Sequence, residues 1–139
     1  MTDTIAAFLS SPRLHHVGIV TPSERLASEQ MTKLGLREQY RGYVERWDVT
    51  CIFCEPNGGS PIEFVIPGSG PLKEFNRGIG GLHHVALTVP NLKEAMEDFA
   101  RNGVAMLEKE PVKGAGPFLC NFLLPVFTRG FAVELVQIL

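Results

Sequence analysis

The sequence lacks the features that mark several large classes of protein. It has no basic cluster, and 13 lysine and arginine residues against 15 aspartate and glutamate residues give a net charge of −2. Because nucleic-acid binding leaves a basic stripe, we expect no nucleic-acid partner. No apolar stretch approaches the roughly 20 residues of a membrane helix, so we expect no membrane partner either. The first residues lack the positive segment of a signal peptide, which favours a cytoplasmic protein.

Cysteine is also scarce, with three residues in a chain of 139. The odd number predicts no closed disulfide framework. Cys51 and Cys54 have the spacing of a zinc or redox pair, but they lie in a strand-like run, where positions three apart point to opposite faces. We therefore interpret them as core cysteines. The length fits one domain, which we place at residues 1–139.

The feature that is present is an internal repeat. The run Leu14–Val20 recurs as Leu82–Thr88, 68 residues later, and the correspondence continues without a gap through a proline, an alanine and a glycine. Each copy is followed by an acid inside an apolar run, Glu63 in the first half and Glu134 in the second. Each half thus supplies a candidate histidine and a carboxylate at equivalent places, which favours a metal site with four ligands.

Hydrophobic periodicity predicts the same order of elements in both halves. A strand is followed by a capped helix, which begins near Thr21 or Asn91 and ends at a glycine. Three strand-like runs then follow in each half. These are Leu36–Val44, Val49–Glu55 and Pro61–Pro67 in the first half, and Val104–Glu108, Phe118–Leu124 and Phe131–Ile138 in the second. A short helical turn, Leu72–Phe75, is predicted in the connector.

Each half is therefore a βαβββ module, at residues 14–67 and 82–139, with residues 68–81 as the linker. One module alone leaves a face of its sheet uncovered, since its single helix covers only the other face. Pairing the two modules buries both faces and encloses a cup between the curved sheets. We therefore predict an α+β fold in which the paired modules form a cup-like mixed sheet of eight strands, with a ligand pocket inside.

Strand alternation divides the four histidines into two sets. The sets are His15 with His83 and His16 with His84. The second set shares its face with small residues two positions on, Gly18 and Ala86, which leave room for a ligand, while the first set points the other way. The pattern separates the two sets but does not decide which of them binds.

Glu63 and Glu134 carry a sharper signal, because burying an unpaired carboxylate in an apolar strand is expensive. Two such acids at equivalent positions, each matched by a histidine, favour one shared divalent ion. Nitrogen and oxygen ligands suit a borderline ion such as Co, Ni, Mn or Zn. The alternative is a relic of duplication, with core histidines and with acids that pair with arginine. The available arginines are Arg41, Arg46, Arg77 and Arg129.

At these residues the chain resembles the vicinal oxygen chelate superfamily of glyoxalases, bleomycin resistance proteins and dioxygenases, from Leu14 to Leu139. Within it, the resemblance is to the methylmalonyl-CoA epimerases. The motifs that carry it are Leu14–Val20, Leu72–Phe75, Gly80–Ala86, Glu110–Pro111, Gly114–Gly116 and Gly130 with Val133–Leu135. The resemblance implies paired βαβββ modules, often in a homodimer, around one divalent metal ion. The ligands that it implies are His16, Glu63, His84 and Glu134.

The resemblance also implies an activity. Epimerases of this kind remove an α-proton through an enolate that the metal stabilises, and we expect this chemistry on a carbonyl or acyl-CoA thioester substrate. Their catalytic glutamate, on the strand before the second-ligand strand, corresponds to Glu45. The alignment there is loose, so Asp48 is a rival, and an exposed strand acid is the alternative for Glu45. Glu134 would be the second acid/base, on the opposite side of the α-carbon.

Two departures from the epimerase pattern keep other functions open. The second ligand is typically glutamine in epimerases, whereas Glu63 resembles the arrangement of bacterial glyoxalase I, a lyase with the same enediolate chemistry. The loop Leu124–Phe127 replaces the polar His-Pro-Lys-Ser of the epimerases, which predicts a more apolar pocket. That pocket keeps open a protein that sequesters a small molecule. A ring-cleaving dioxygenase would use two histidines and one carboxylate, so a fourth ligand would be surplus.

Overall fold

The computed structural model describes residues 12–139, and its strands form one mixed sheet. The strands are β1 (Leu14–Val20), β2 (Glu38–Val44), β3 (Val49–Cys54), β4 (Ile62–Pro67), β5 (Gly81–Thr88), β6 (Val112–Lys113), β7 (Phe118–Leu123) and β8 (Ala132–Ile138). Their order across the sheet is β2-β3-β4-β1-β5-β8-β7-β6. Each half of the chain contributes four neighbouring strands, so the predicted α+β fold with an eight-stranded mixed sheet is confirmed.

The centre of the sheet has the same local arrangement in both halves. β1 and β5 run antiparallel and join the halves. β4 lies parallel to β1 on one side, and β8 lies parallel to β5 on the other. Each histidine-bearing strand therefore lies between the acid-bearing strand of its own half and the histidine-bearing strand of the other half.

The sheet curls into a nearly closed cup because its two edges meet. A Cβ atom on Gly42 of β2 would lie 2.1 Å from the carbonyl oxygen of Ala115, in the loop after β6. A Cβ atom on Gly116 would lie 2.5 Å from the hydroxyl oxygen of Tyr40 on β2. Residues without a side chain are needed for so close an approach. The glycines on both edges thus allow the cup to close.

The two longer helices lie where the sequence predicts them, one after the first strand of each half, whereas the short helix before the last strand is not predicted. The helices are α1 (Glu24–Leu34), α2 (Leu92–Arg101) and α3 (Pro125–Thr128), with 3-10 turns at Glu45–Trp47 and Pro71–Gly78. The turn at Pro71–Gly78 confirms the short helical turn predicted in the connector. Within residues 12–139, none of the helices combines the length and the apolar character needed to cross a membrane.

The starts of the two longer helices differ in how well the sequence predicts them. Asn91 caps α2 as expected, since its side-chain oxygen accepts a hydrogen bond of 3.0 Å from a backbone N–H of the first turn. The predicted cap Thr21 is wrong, because Ser23 caps α1 with a corresponding hydrogen bond of 3.2 Å. Thr21 still belongs to the sheet, where its backbone N–H donates to Val65 of β4. The helix therefore starts after the ladder has ended.

Both longer helices pack an apolar side on the outer face of the sheet. α1 buries Ala27 and Met31 against the first half. α2 buries Leu92, Ala95 and Phe99 against the second half. Each large apolar side chain buried in this way stabilises the fold by about 1.5–3 kcal/mol. A third apolar cluster, which includes residues of both halves, lies on the inner face of the cup.

The two cysteines of the C-x-x-C run lie on opposite sides of β3. Cys51 belongs to the cluster inside the cup, whereas Cys54 packs beneath α1. Both are buried and free, as is Cys120 on β7. The interpretation of Cys51 and Cys54 as core cysteines on opposite faces is therefore confirmed.

The segment after α2 departs from the prediction. Residues 104–108 do not form a strand of the sheet: Met106 makes a single bridge with Leu123, and the short β6 takes the edge position instead. The reason is the buried side chain of Asn121, which accepts from the backbone N–H of Glu108 and donates to its carbonyl. A side chain thus satisfies backbone groups that a neighbouring strand would otherwise use, and the ladder stops.

Candidate metal centre

Four buried side chains converge inside the cup, one from each of the four central strands. They are His16 (β1), Glu63 (β4), His84 (β5) and Glu134 (β8). The Nε2 atoms of the two histidines are 3.2 Å apart. The nearest oxygens of the two glutamates lie 2.9–3.4 Å from these nitrogens. None of the four residues is more than 4% exposed.

Strand pairing explains why these side chains meet. Gly18 on β1 pairs with Glu63 on one side and with His84 on the other. Ala86 on β5 takes the corresponding place between the other two members of the cluster. Because directly paired residues point to the same face of a sheet, both rows of side chains aim into the cup. A Cβ atom on Gly18 would lie 2.0 Å from Cε1 of His84, so the ring lies directly over the glycine.

The donor set fits a divalent cation. Ligand distances of about 2.0–2.2 Å place neighbouring ligand atoms about 3.0–3.5 Å apart around one ion, close to the spacing within this cluster. One oxygen each of Glu63 and Glu134 is buried and has no partner in hydrogen-bond geometry within residues 12–139, although imidazole nitrogens lie near. Buried carboxylate oxygens aimed at a common centre are what a bound cation requires. Two nitrogens and two carboxylates suit a borderline divalent ion.

Protonation of the two histidines is coupled to the two acids. Burial lowers the pKa of His16, but contacts with Glu134 and Glu63 outweigh this and raise its pKa to about 10. The same balance raises the pKa of His84 to about 9. Burial favours a higher pKa for both carboxyl groups, yet the adjacent imidazoles hold the pKa of each below its ordinary range. Without a metal, protons on the imidazoles balance the carboxylates, and a metal ion has to displace them.

A cysteine lies beside each acid of the cluster. Cys51 contacts Glu63, and Cys120 contacts Glu134. Burial, reinforced by the carboxylates, raises the pKa of both thiols far above the ordinary range. In the metal-free protein these two cysteines are therefore neutral neighbours of the cluster.

The structure corrects the predicted orientation of His15 and His83. Alternation places them on the outer face, but each lies at a β-bulge between β1 and β5 and turns inward. Nδ1 of His15 is 2.7 Å from Nδ1 of His16. Nδ1 of His83 is 2.8 Å from Nδ1 of His84. Burial, then the neighbouring histidine, lowers the pKa of both rings, to about 4 for His83, so both are neutral near pH 7.

A cavity of about 440 Å³ adjoins the cluster, and Glu63, His84 and Glu134 line it. Its walls are mainly apolar. They include Val44, Trp47, Val49, Leu72, Phe118 and Phe122. A concave apolar space with a few convergent polar groups is the usual form of a small-molecule site. A ligand in this cavity would therefore reach the cluster directly.

The structure places the two rival acid/base candidates differently. Glu45 lies in the exposed 3-10 turn after β2 and does not line the cavity. Asp48 lines the cavity and accepts hydrogen bonds of 2.7 Å from the hydroxyl groups of Ser69 and Tyr43. These hydrogen bonds hold the pKa of Asp48 below its ordinary range. Asp48, and not Glu45, is therefore the acid that a ligand would meet at this part of the wall.

The loop that departs from the epimerase pattern contributes to the cavity in part. Leu124 and Pro125 line it. Val126 is 78% exposed and Phe127 is 38% exposed, and neither lines the cavity. The apolar pocket expected from this loop is thus formed by its first two residues together with the phenylalanines of β7.

The cavity offers little free positive charge. Arg46 is the one arginine in its lining, and no lysine lines it among residues 12–139. The guanidinium of Arg46 pairs with Glu108 at 2.7 Å. The indole N–H of Trp47 donates to the other oxygen of Glu108, also at 2.7 Å. Both oxygens of Glu108 are therefore engaged, and so is the arginine.

The sequence pattern predicts neither the inward orientation of His15 and His83 nor the thiols beside the acids. A metal site with four ligands uses only one histidine from each copy of the repeat. The second histidine, which is present in both copies, is therefore a signal in the sequence for an additional role. The signal for Cys51 and Cys120 is weaker, because their equivalence appears only in the sheet. There, each pairs with the residue two positions after its acid.

Similarity to known proteins extends over most of the chain. The uncharacterized protein YqjC of Bacillus subtilis is 30% identical over 129 residues, which cover 90% of this chain and 91% of that protein. Human mitochondrial methylmalonyl-CoA epimerase is 28% identical over 130 residues, which cover 90% of this chain and 73% of that protein.

The fold itself matches a solved structure. The crystal structure of methylmalonyl-CoA epimerase from Mycobacterium tuberculosis superposes with a TM-score of 0.80 at 21% identity, over 91% of this chain and 87% of that one. Residues 15–122 match the sequence pattern of a family that unites glyoxalases, bleomycin resistance proteins and dioxygenases. The chain therefore belongs to the glyoxalase/bleomycin resistance protein/dioxygenase superfamily.

Proposed function

We propose that this protein is a divalent-metal-dependent isomerase or epimerase that moves a proton on the carbon next to a carbonyl group. The observation that carries the proposal is the convergence of two buried histidines and two buried glutamates beside a mainly apolar cavity. Similarity to human methylmalonyl-CoA epimerase supports an acyl-CoA thioester or a related carbonyl compound as substrate. A divalent ion bound at the cluster would polarise the carbonyl and stabilise the negative charge that develops on its oxygen.

The residues proposed to hold the ion are those implied by the family resemblance. They are His16, Glu63, His84 and Glu134. All four side chains are buried, so bulk water has little access to their ligand atoms. Low exposure also strengthens the electrostatic interactions between the cluster and a carbonyl oxygen in the cavity.

Proton transfer is assigned to acids that line the cavity. Glu134 belongs to the cluster and lines the cavity, which supports a role for its carboxylate in accepting the α-proton. Epimerisation also needs an acid/base on the other face of the α-carbon. The role of Glu45 stays a prediction that its exposed position does not support. Asp48 lines the cavity and is the better placed of the two rivals.

A lyase of the glyoxalase I type is the second candidate, and the acid at position 63 favours it. With a carboxylate there, two acids balance a divalent ion and the loaded centre is neutral. The arginine of the cavity pairs with Glu108, so the carboxylate of a malonyl group would have to compete with that ion pair. A hemithioacetal of a ketoaldehyde has no such carboxylate at its reacting end. The chemistry is the same transfer of a proton next to a carbonyl.

Metal content is the first test of the proposal. Protein without a histidine tag is purified and its bound metals are quantified by mass spectrometry, together with His84→Ala and Glu134→Ala. We expect about one divalent ion per chain, lost in both variants, because each removes a ligand. Glu108→Gln is the matched control, since Glu108 lines the same cavity but lies outside the cluster. A wild type that stays free of metal after reconstitution would overturn the proposal and favour a protein that sequesters a small molecule.

Turnover then separates the two candidate reactions. Metal-loaded protein is incubated in heavy water with a panel of acyl-CoA thioesters, and separately with the hemithioacetal of methylglyoxal and glutathione. Deuterium at the α-carbon of a thioester, with inversion, supports the epimerase. Conversion of the hemithioacetal into its thioester supports the lyase. If Asp48 is the second acid, Asp48→Asn should lose inversion, whereas Glu45→Gln should keep it.

A further inference from the structure

Two β-bulges interrupt the pairing of the central strands, and each falls on a histidine. The residues on either side of His15 pair with adjacent residues of β5, so His15 is the extra residue of the first bulge. The residues on either side of His83 pair with adjacent residues of β1, so His83 is the extra residue of the second. Bulges disrupt the ladder and re-aim side chains, so two at corresponding places indicate a role for the residues they turn inward.

Each bulge histidine meets the candidate ligand that follows it in the chain. The Nδ1 atoms are 2.7 Å apart in the pair His15 and His16, and 2.8 Å apart in the pair His83 and His84. At these distances one nitrogen of each pair carries the proton and the other accepts it. The Nε2 atoms of the two candidate ligands face the cluster instead, 3.2 Å from each other.

The direction of these hydrogen bonds follows from the chemistry of a metal ligand. An imidazole that offers the lone pair of Nε2 to a cation carries its remaining proton on Nδ1. Among residues 12–139, the acceptor at hydrogen-bond distance from that nitrogen is the Nδ1 atom of the bulge histidine. The bulge histidine then keeps its own proton on Nε2. A bound cation therefore selects a single tautomer in all four rings.

We propose that His15 and His83 are positioning residues that fix the tautomer and the ring orientation of His16 and His84 for metal binding. The inference rests on the metal site of the proposed function and not on the reaction performed there. Partners of this kind raise ligand basicity and hold the ring in place. Aromatic neighbours orient the positioning rings in turn. Phe118 lies edge-on to His15 with ring centres 5.3 Å apart, and Phe75 lies edge-on to His83 with ring centres 4.9 Å apart.

The test compares substitutions that keep or remove the acceptor atom. In His83→Asn the side-chain oxygen takes the position of Nδ1 and accepts the same proton, whereas His83→Leu fills the space without an acceptor. His15→Asn and His15→Leu form the matched pair in the other half. The zinc dissociation constant of the full chain is measured for each by competition with a chromophoric chelator. We expect the leucine variants to bind zinc about 10–100-fold more weakly and the asparagine variants to recover most of that loss.

A spectroscopic readout separates positioning from mere packing. Long-range ¹H–¹⁵N correlation spectra of the zinc-loaded wild type report which nitrogen of each ring is protonated. We expect Nδ1–H for His16 and His84, and Nε2–H for His15 and His83. These spectra and the asparagine variants test the role of His15 and His83 as positioning residues even where a leucine variant fails to fold.

Some outcomes would overturn the inference without touching the proposed reaction. Wild-type zinc affinity in folded His15→Leu and His83→Leu would do so, as would Nδ1–H signals on His15 and His83. Equal losses in the leucine and asparagine variants would show that the imidazole bulk and not the acceptor matters. Conversely, the expected tautomers together with no turnover of any substrate would leave the inference standing while the proposed function failed.

Discussion

The addition of a single methyl group at Gly18 should strongly weaken metal binding at the candidate centre. Gly18 pairs with His84 across the central ladder, and the ring of that histidine lies on it. An added Cβ would lie 2.0 Å from Cε1 and 2.3 Å from Nε2 of the ring. Carbon atoms in contact are separated by about 3.5–4.0 Å, so in Gly18→Ala the ring has to move by about 1.5 Å. The ligand atoms are 2.9–3.4 Å apart, so such a shift takes Nε2 out of the cluster.

The expected loss of metal affinity is large and the expected loss of stability is small. Losing only a partner of a ligand weakens metal binding by about 10–100-fold, so displacing His84 itself should weaken zinc binding by about 100-fold or more. Gly18 does not have a left-handed backbone, so alanine adds no backbone strain there. Alanine in a strand gains about 0.5–1 kcal/mol over glycine, whereas overpacking costs about 1–3 kcal/mol. The variant should therefore fold with a loss of at most about 2.5 kcal/mol in the free energy of unfolding.

The repeat supplies a matched control. Ala86 corresponds to Gly18 in the second half and pairs with His16, so a methyl group is already accommodated at that place. Ala86→Gly should leave zinc affinity within a few-fold of the wild type while costing about 0.5–1 kcal/mol in unfolding free energy. Competition with a chelator measures affinity, and urea unfolding measures stability. Wild-type zinc affinity in folded Gly18→Ala would refute the argument that the ring needs the glycine.

Three further predictions concern protons and a helix cap. Zinc binding near pH 7 should release about two protons, since the pKa values of His16 and His84 are raised to about 10 and about 9; calorimetry in buffers of different ionisation enthalpy measures this, and no release would contradict it. In the metal-free protein these raised pKa values stabilise the fold fully below the unfolded value of about 6.5, and the stabilisation is lost as pH rises towards 10. The melting temperature of the metal-free protein should therefore fall between pH 7 and pH 10, whereas that of the zinc-loaded protein should stay constant. A constant melting temperature in the metal-free protein would show that the histidines are not coupled to the acids. Ser23→Ala should cost about 1 kcal/mol in unfolding free energy, because it removes the side chain that caps α1; urea unfolding measures this, and an unchanged free energy of unfolding would contradict the assignment of the cap.

Much of the fold and the members of the cluster follow from the repeat. A motif that recurs at fixed separation places two strands at corresponding positions, and the acid that follows each motif lies in a buried strand of the same half. Parallel pairing of that strand with the histidine strand then brings the two side chains to one face. Burial of a carboxylate among apolar residues is costly enough that such an acid stands out in the sequence. The histidine and the acid of each half lie in neighbouring strands of that half, and the second half repeats the arrangement. Strand alternation and residue polarity are therefore sufficient to predict the members of the cluster.

The features that sequence reasoning missed depend on interactions between distant residues. His15 and His83 face inward because the pairing register of β1 and β5 shifts by one residue at each of them. The alternation of polar and apolar residues in either strand does not predict a bulge. Residues 104–108 fail to join the ladder because the side chain of Asn121 takes the backbone groups of Glu108. Glu45 leaves the predicted strand because the chain turns there, with Asp48 in a left-handed conformation at φ 49°.

The carboxylate of Glu63 affects how well a metal-loaded cluster suits the apolar cavity, because it changes the net charge of the cluster. Two carboxylates and two neutral imidazoles carry two negative charges, which a divalent ion balances. A neutral centre can lie beside apolar walls, whereas a charged one would be costly there without a counter-ion. A glutamine in place of Glu63 would leave one positive charge, which suits a substrate that arrives as an anion. With Glu63, the proposed metal centre would suit a substrate whose reacting end is uncharged and becomes negative only as the proton leaves, which is the state that the proposed catalysis has to favour.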